Sequence, residues 1–344
     1  MGDVICLMEV CGTHTMSIAK SGIRQLLPPG VKLVSGPGCP VCVTSPGTID
    51  CVFSLTELEK DIIITTYGDM IRVPGSIPGD TLMKRKALGA DVRVVYSPMD
   101  ALGIAEYNPD KQVVFLGVGF ETTAPGTAAA VDAAFRKNIR NFTVFSMLKR
   151  MEPAIRALTD DPGFSVQGFL CPGHVAVVTG ERGMEFISKE LHYPAVISGF
   201  ETDEIMKAIT LLLRQIRQGE AFLQNAYGSV VTQEGNTLAR EMMERVFTLR
   251  RVSWRGLGEI EDSGFSLRSE YGDFDAEKRF GLKASEPVQS SGCRCGEVIR
   301  GALEPEGCPM FGNACLPDEP VGPCMVSSEG ACAAAWKYRD VKES

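Results

Sequence analysis

The chain has 344 residues, enough for two or three domains with cores of their own. Its composition, 44% hydrophobic and 23% charged, is that of an ordinary soluble globular protein, and a formal net charge of −8 with no basic stripe argues against nucleic acid as a main partner. The longest apolar runs, such as VVFLGV at 113–118, fall far below the ~20 residues of a membrane span, so no membrane association is expected.

The start, MGDVIC, has no positively charged n-region and places Cys6 where a myristoylation signal has Ser or Thr. We therefore expect a cytoplasmic protein. Twelve cysteines are many for that compartment, where structural disulfides are rare. Five come early (Cys6, Cys11, Cys39, Cys42, Cys51), Cys171 stands alone, and six fall within the last 52 residues: Cys293, Cys295, Cys308, Cys315, Cys324 and Cys332. Reduced thiols clustered in this way point to metal binding or redox work.

In chain order, short β-branched runs bounded by Gly or Pro predict eight strands, at 4–10, 31–36, 62–68, 92–97, 113–119, 142–148, 166–171 and 195–200. The runs are mostly continuous, as in strands buried on both faces of a parallel sheet. Between them lie helices. Ser97-Pro98-Met99-Asp100 has the form of a capping box with proline at the first helical position. The segment 202–218 carries one apolar stripe (Ile205, Ile209, Leu212, Leu213, Ile216), with acids in its first turn and Gly219 as its stop. The alternation makes the class α/β, with right-handed crossovers. GFET occurs at both 119–122 and 199–202, each time closing an apolar strand, which suggests two similar units. After about residue 245 the strand–helix rhythm stops and Pro, Gly and Cys take over. The expected organisation is an α/β domain over 1–110, a similar parallel-sheet α/β domain over 111–245, and a small irregular C-terminal domain over 246–344.

In parallel α/β sheets, ligands sit beyond the carboxyl ends of the strands, and the unusual residues of this chain fall there: CGTHT (11–15), GPGCPVC (36–42), GDMIRVPG (68–75), GFETTAPG (119–126) and CPGHV (171–175). Turn-making alone would explain Gly and Pro in such loops, but not the recurrence of Cys, His, Glu and Arg. Cys39-Pro-Val-Cys42 has the spacing of a disulfide or a shared metal site; a buried, inert pair is the bland alternative. Cys11 and His14 can face one ion or substrate, and Glu121 and His174 are candidate acid/base or hydrogen-bonding groups. His192 lies outside any strand-end loop and is expected to be structural.

Cys295, Cys308, Cys315 and Cys332, spaced C-x12-C-x6-C-x16-C, satisfy either a tetrahedral zinc or a [4Fe–4S] cluster. The absence of tight C-x2–4-C knuckles favours the cluster. Cys293 and Cys324 compete as ligands, so spacing alone leaves the choice of four from six open. GVGFET (117–122) begins like a dinucleotide fingerprint but has Thr where the third Gly belongs, and no Walker A motif occurs.

Taken together, MEVCGTHT, GPGCPVC, YGDMIRVPG, VYSPMDAL, GFETTAPG, PGHV, WRGLGEIEDSG, RCGEVIRG and MVSSEGACAAAW resemble, in order and over essentially the whole chain, the HypD family of hydrogenase maturation factors. The resemblance implies two α/β domains plus a third bearing an iron–sulfur cluster. It also implies a scaffold on which the Fe(CN)2(CO) group of [NiFe]-hydrogenases is assembled, with a HypC-like small chaperone and a HypE-like cyanide donor as partners. Carried over position by position, it puts a [4Fe–4S] cluster on Cys295, Cys308, Cys315 and Cys332, leaving Cys293 and Cys324 as extras. The same carry-over gives the nascent iron to Cys11 and a redox-active pair to Cys39 and Cys42. Cys6, Cys51 and Cys171 match no family motif. On this expectation the cluster feeds electrons to the Cys39–Cys42 pair, iron carrying cyanide and CO is the cargo, and His14, Glu121 and His174 give hydrogen bonds or protons to the diatomic ligands. Two other classes compete: an iron–sulfur-dependent dithiol/disulfide oxidoreductase, and a zinc-stabilised binding module.

Overall fold

A computed structural model describes residues 4–58, 61–283 and 292–339. All eight expected strands are present, each within a few residues of its expected ends: β1 (Ile5–Glu9), β2 (Val31–Ser35), β3 (Ile62–Thr66), β4 (Asp91–Val94), β5 (Gln112–Gly119), β6 (Phe142–Leu148), β7 (Gly168–Pro172) and β8 (Ala195–Ser198). Three more follow: β9 (Leu223–Asn225), β10 (Phe247–Trp254) and β11 (Gly258–Leu267). The strands that read as unbroken apolar runs are buried on both faces, and in β5 only Gln112 is not fully enclosed.

One parallel sheet has the order β2-β1-β7-β8-β9 and the other the order β4-β3-β5-β6. Counting strands within each sheet in chain order, both begin 2-1-3-4, so the two units are similar, as expected. They are not consecutive, however. The second sheet is nested in the chain between β2 and β7 of the first, so residue 110 divides neither sheet from the other. The crossing is made after β2, where the helix Pro46–Ser54 buries Ile49, Cys51, Val52 and Phe53 in the large central core. A split by sequence order assumed that consecutive strands share a sheet, and this buried helix carries the chain across instead. The two GFET segments follow the third strand of one sheet and the fourth of the other, so the repeat does not mark equivalent positions.

Local expectations hold where capping chemistry specified them. Ser97 caps Pro98–Tyr107 and Asp100 completes the reciprocal box. The amphipathic helix runs over Thr202–Gln218 and stops at Gly219 with φ +67°, a left-handed conformation that glycine adopts without a Cβ penalty.

The expected irregular domain over 246–344 is regular in its first part. β10 and β11 form an antiparallel hairpin with a bulge between Arg250 and Val252. This hairpin packs on the second sheet, where the Arg150 amide donates to Ser263 O (2.8 Å) and Ser146 Oγ donates to Phe265 O (2.6 Å). One face of the hairpin is open to solvent, and its charged residues (Arg251, Glu259, Glu261) gave the sequence the look of a loop. Only the region after residue 292 is irregular, built from short helices and turns. Residues 284–291 and 340–344 of the expected third domain lie outside the described residues.

Trp254 ties these parts together: it is 1% exposed, its Nε1 donates to Ser263 Oγ (2.9 Å), and it stacks on Phe120 at the end of β5. Phe115, fully buried in the middle of β5 with its ring edge-on to Tyr67, anchors the neighbouring core. Phe115→Ala should cost about 3–5 kcal/mol of folding free energy. Tyr107→Ala, at an 88% exposed position, should cost less than about 0.5 kcal/mol. Urea unfolding of both variants checks the contrast.

Candidate functional site: a cleft between two strand-order reversals

In each sheet the strand order reverses beside its first strand, between β1 and β7 in one and between β3 and β5 in the other. A ligand crevice forms beyond the carboxyl ends at such reversals. Here the two reversals face a common cleft of about 440 Å3, walled by Cys11 and Thr13 after β1, Asp69 after β3, Thr122 after β5 and His174 after β7, with Glu329 from the C-terminal region.

Cys11 caps the helix Gly12–Lys20 in extended conformation, and among the described residues it is the one cysteine lining the cleft. Burial, followed by the nearby Glu329 carboxylate, pushes its thiol up to about 12. By itself Cys11 is therefore a protonated thiol, and a cation arriving there has to displace the proton. Thr13 Oγ1 donates to Glu329 Oε1 (2.8 Å), and burial raises the Glu329 carboxyl above the usual carboxylate range. The loop bearing Glu329 is pinned by Asp69, whose Oδ2 accepts from Ser327 Oγ (2.8 Å) and from the Ser328 amide (3.3 Å).

Cys39 and Cys42 are joined in a disulfide and are 4% and 2% exposed. Their loop lies directly against Cys11. The Gly12 amide donates to Gly38 O (3.2 Å), and a Cβ on Gly38 would collide with the backbone N and Cα of Cys11. On its other side Cys42 Sγ lies 4.0 Å from Pro323 O, next to Cys324.

The expected histidines and glutamate part company. His174 lines the cleft, where partial burial holds its imidazole below the ordinary value. His14 lies behind the wall, fully buried. Its Nε2 donates to Gly199 O (2.8 Å), and Phe200 stands between its ring and that of His174. Burial drives its pKa down to about 4, so it stays neutral and orients structure. Glu121 turns away into a neighbouring cavity of about 710 Å3 beside Arg150. Its Oε1 accepts from the Met151 amide (3.0 Å), and its Oε2 is buried without a partner. Glu121 lies in the turn after β5, and its hydrogen bond from the Met151 amide holds the carboxyl on that side. Asp69, Thr13 and Glu329 were missed as site residues; for Asp69 and Thr13 the available signal was a polar side chain inside the same strand-end loops, whereas Glu329 comes from the C-terminal region and gave none.

All six late cysteines converge on one small cavity, together with Met310 and Phe311, whose ring meets Trp336 edge-on. The donor set fits an iron–sulfur cluster: thiols alone, in an apolar shell, with the Val321 amide donating to Cys315 Sγ (3.3 Å). Burial, and then the crowding of Cys295, Cys293, Cys315 and Cys308, raises the Cys332 thiol. A bound cationic centre relieves such crowding. Among the described residues no three His, Cys, Asp or Glu side chains are close enough together to hold a single metal ion.

Two nested parallel sheets, a thiol at their shared cleft and a cavity lined by six cysteines define a cysteine-rich α/β protein. The family model described as "HypD: Hydrogenase formation hypA family" matches residues 2–339. The chain is 43% identical to the hydrogenase maturation factor HypD of Rhodobacter capsulatus, over 96% of this chain and 89% of that one. It is also 43% identical to HypD of Cupriavidus necator (98% and 90% covered) and to HypD of Escherichia coli (97% and 89%). The chain belongs to the HypD family of hydrogenase maturation factors. No helix among the described residues is long and apolar enough to cross a membrane.

Burial lifts the Glu121 carboxyl from 4.5 to about 7. Between those values the folded chain holds a proton that the unfolded chain releases, so stability falls as pH rises through that window. Glu121→Gln should flatten this fall and stabilise the chain at about pH 8, relative to about pH 5, by up to about 3 kcal/mol. Urea titrations at the two pH values check this.

Proposed function

We propose that the chain is the scaffold on which an iron atom receives its cyanide and CO ligands before delivery to a [NiFe]-hydrogenase. The observation that carries this reading is the contiguity of three sulfur sites. Cys11 lines the cleft, the Cys39–Cys42 loop lines it too and touches the Cys11 backbone, and the cavity with six thiols begins just past Pro323, which Cys42 meets.

The iron is cargo. Cys11 binds it as a thiolate once the proton has left, and soft sulfur suits low-spin iron carrying strong-field ligands. Glu329 supplies a second negative charge beside Cys11, and His174 offers the cleft a neutral imidazole. The open side of the cleft, bordered by the exposed Tyr96, is where a HypC-like chaperone would share the iron and a HypE-like donor would bring cyanide. His14 and Glu121 act from outside the cleft, His14 by holding the Gly199–Phe200 turn against His174.

Cys295, Cys308, Cys315 and Cys332 would hold a [4Fe–4S] cluster, with Cys293 and Cys324 beside them; when bound, it supplies electrons one at a time. Opening the Cys39–Cys42 bond takes two electrons and two protons and yields two thiols, so an external one-electron donor must act twice. The oxidoreductase alternative needs a partner's disulfide to reach these sulfurs. At 4% and 2% exposure they offer no path for such an attack, and this favours the scaffold.

Cys11→Ala should abolish hydrogenase maturation while keeping the acid-labile sulfide and the cluster iron of the wild type. Cys308→Ala should lose both. Normal maturation with Cys11→Ala would refute the iron assignment, and zinc without sulfide in anaerobically purified protein would refute the cluster.

A further inference from the structure

Arg255 occupies the turn of the β10–β11 hairpin, outside both the cleft and the cysteine cavity. Its backbone amide donates to Val43 O (2.8 Å) and its Nε to Thr44 O (3.1 Å), so it grips the strand of chain leaving Cys42. The same turn packs on the other redox element: Gly256, with φ +82°, lies so close to Gly296 that a Cβ would stand 2.5 Å from the Gly296 Cα. Arg255 lines a cavity of about 440 Å3 with Cys293 and Cys295. The other two arginines there have carboxylates: Arg294 pairs with Glu297, and Arg300 with Asp161 at 3.4 Å. Among the described residues Arg255 has no carboxylate hydrogen-bond partner, and its Nη2 is buried with no partner at all. A guanidinium stays charged at every accessible pH.

We propose that Arg255 is a positioning residue for the redox chemistry, a fixed positive charge set between the disulfide loop and the cluster ligands that makes a cluster bound there easier to reduce. The inference rests on the cysteine cavity holding a [4Fe–4S] cluster. Reduction adds one electron and no proton to such a cluster, and an uncompensated cation at its edge stabilises the added charge in a medium where screening is weak. The electron comes from an external one-electron donor. By gripping both the 43–44 backbone and Gly296, the hairpin turn also fixes the distance between the two redox elements.

The test is a potentiometric titration of the anaerobic full-length chain, followed by the electron paramagnetic resonance of the reduced cluster. Arg255→Gln should make reduction about tenfold less favourable, a midpoint about 59 mV lower for a one-electron couple. Arg255→Lys keeps the charge and should stay within about threefold of the wild-type equilibrium. An unmoved midpoint in Arg255→Gln overturns the proposal. So does a Lys variant that falls tenfold, which keeps the test decisive if the Gln variant loses its cluster. A wild-type chain with no iron, sulfide or cluster signal overturns the reading of the cysteine cavity as well. An intact cluster with an unmoved midpoint overturns the role of Arg255 alone.

Discussion

The backbone of Gly38 touches the backbone of Cys11, and the site depends on that contact. Any side chain at 38 would have to displace the N and Cα of Cys11, and the Gly12–Gly38 hydrogen bond holds the two loops in place. Backbone against backbone is the closest approach two loops can make, and only glycine permits it. It brings a buried disulfide, whose loop lines the cleft with Gly38, Pro40 and Val41, against the backbone of Cys11. The Gly-Pro-Gly sequence before Cys39 is thus a packing requirement as much as a turn.

Nesting one sheet inside the other gives this contact its setting. Each sheet alone would offer one crevice at its strand-order reversal. Because β3–β6 are inserted between β2 and β7, the two crevices open on the same space, and loops after β1, β3, β5 and β7 share a wall. The C-terminal region then closes it from a third side with Glu329, and the hairpin turn at Arg255 braces that region against the disulfide loop. Cysteine cavity, disulfide and cleft are therefore parts of one packed unit, although Cys42 and Cys293 stand 251 residues apart in the chain.

Much of this was legible in the sequence. Continuous apolar runs gave the strands, Ser97 and Gly219 gave helix ends, and the thiols that share a cavity were recognisable from their clustering. What escaped did so for physical reasons. The sheet membership of β3 and β4 depends on a buried crossing helix, which leaves no periodicity different from that of any other helix. The hairpin was hidden because one open face makes its strands look polar. Glu121 sits in the right loop, yet the Met151 amide holds its carboxyl in another cavity. His14 is likewise near Cys11 in sequence but turned inward by Gly199 O. Side-chain direction at a strand end is set by tertiary packing, and a motif carries no sign of it.

The central claim is that iron with its diatomic ligands is held at Cys11, and the infrared spectrum of the anaerobic chain purified with a HypC-like chaperone tests it most directly. Cyanide and CO stretching bands should be present in the wild type and absent from Cys11→Ala with its cluster intact. Bands that survive in Cys11→Ala, or a wild-type complex fully loaded with iron that shows none, would contradict it.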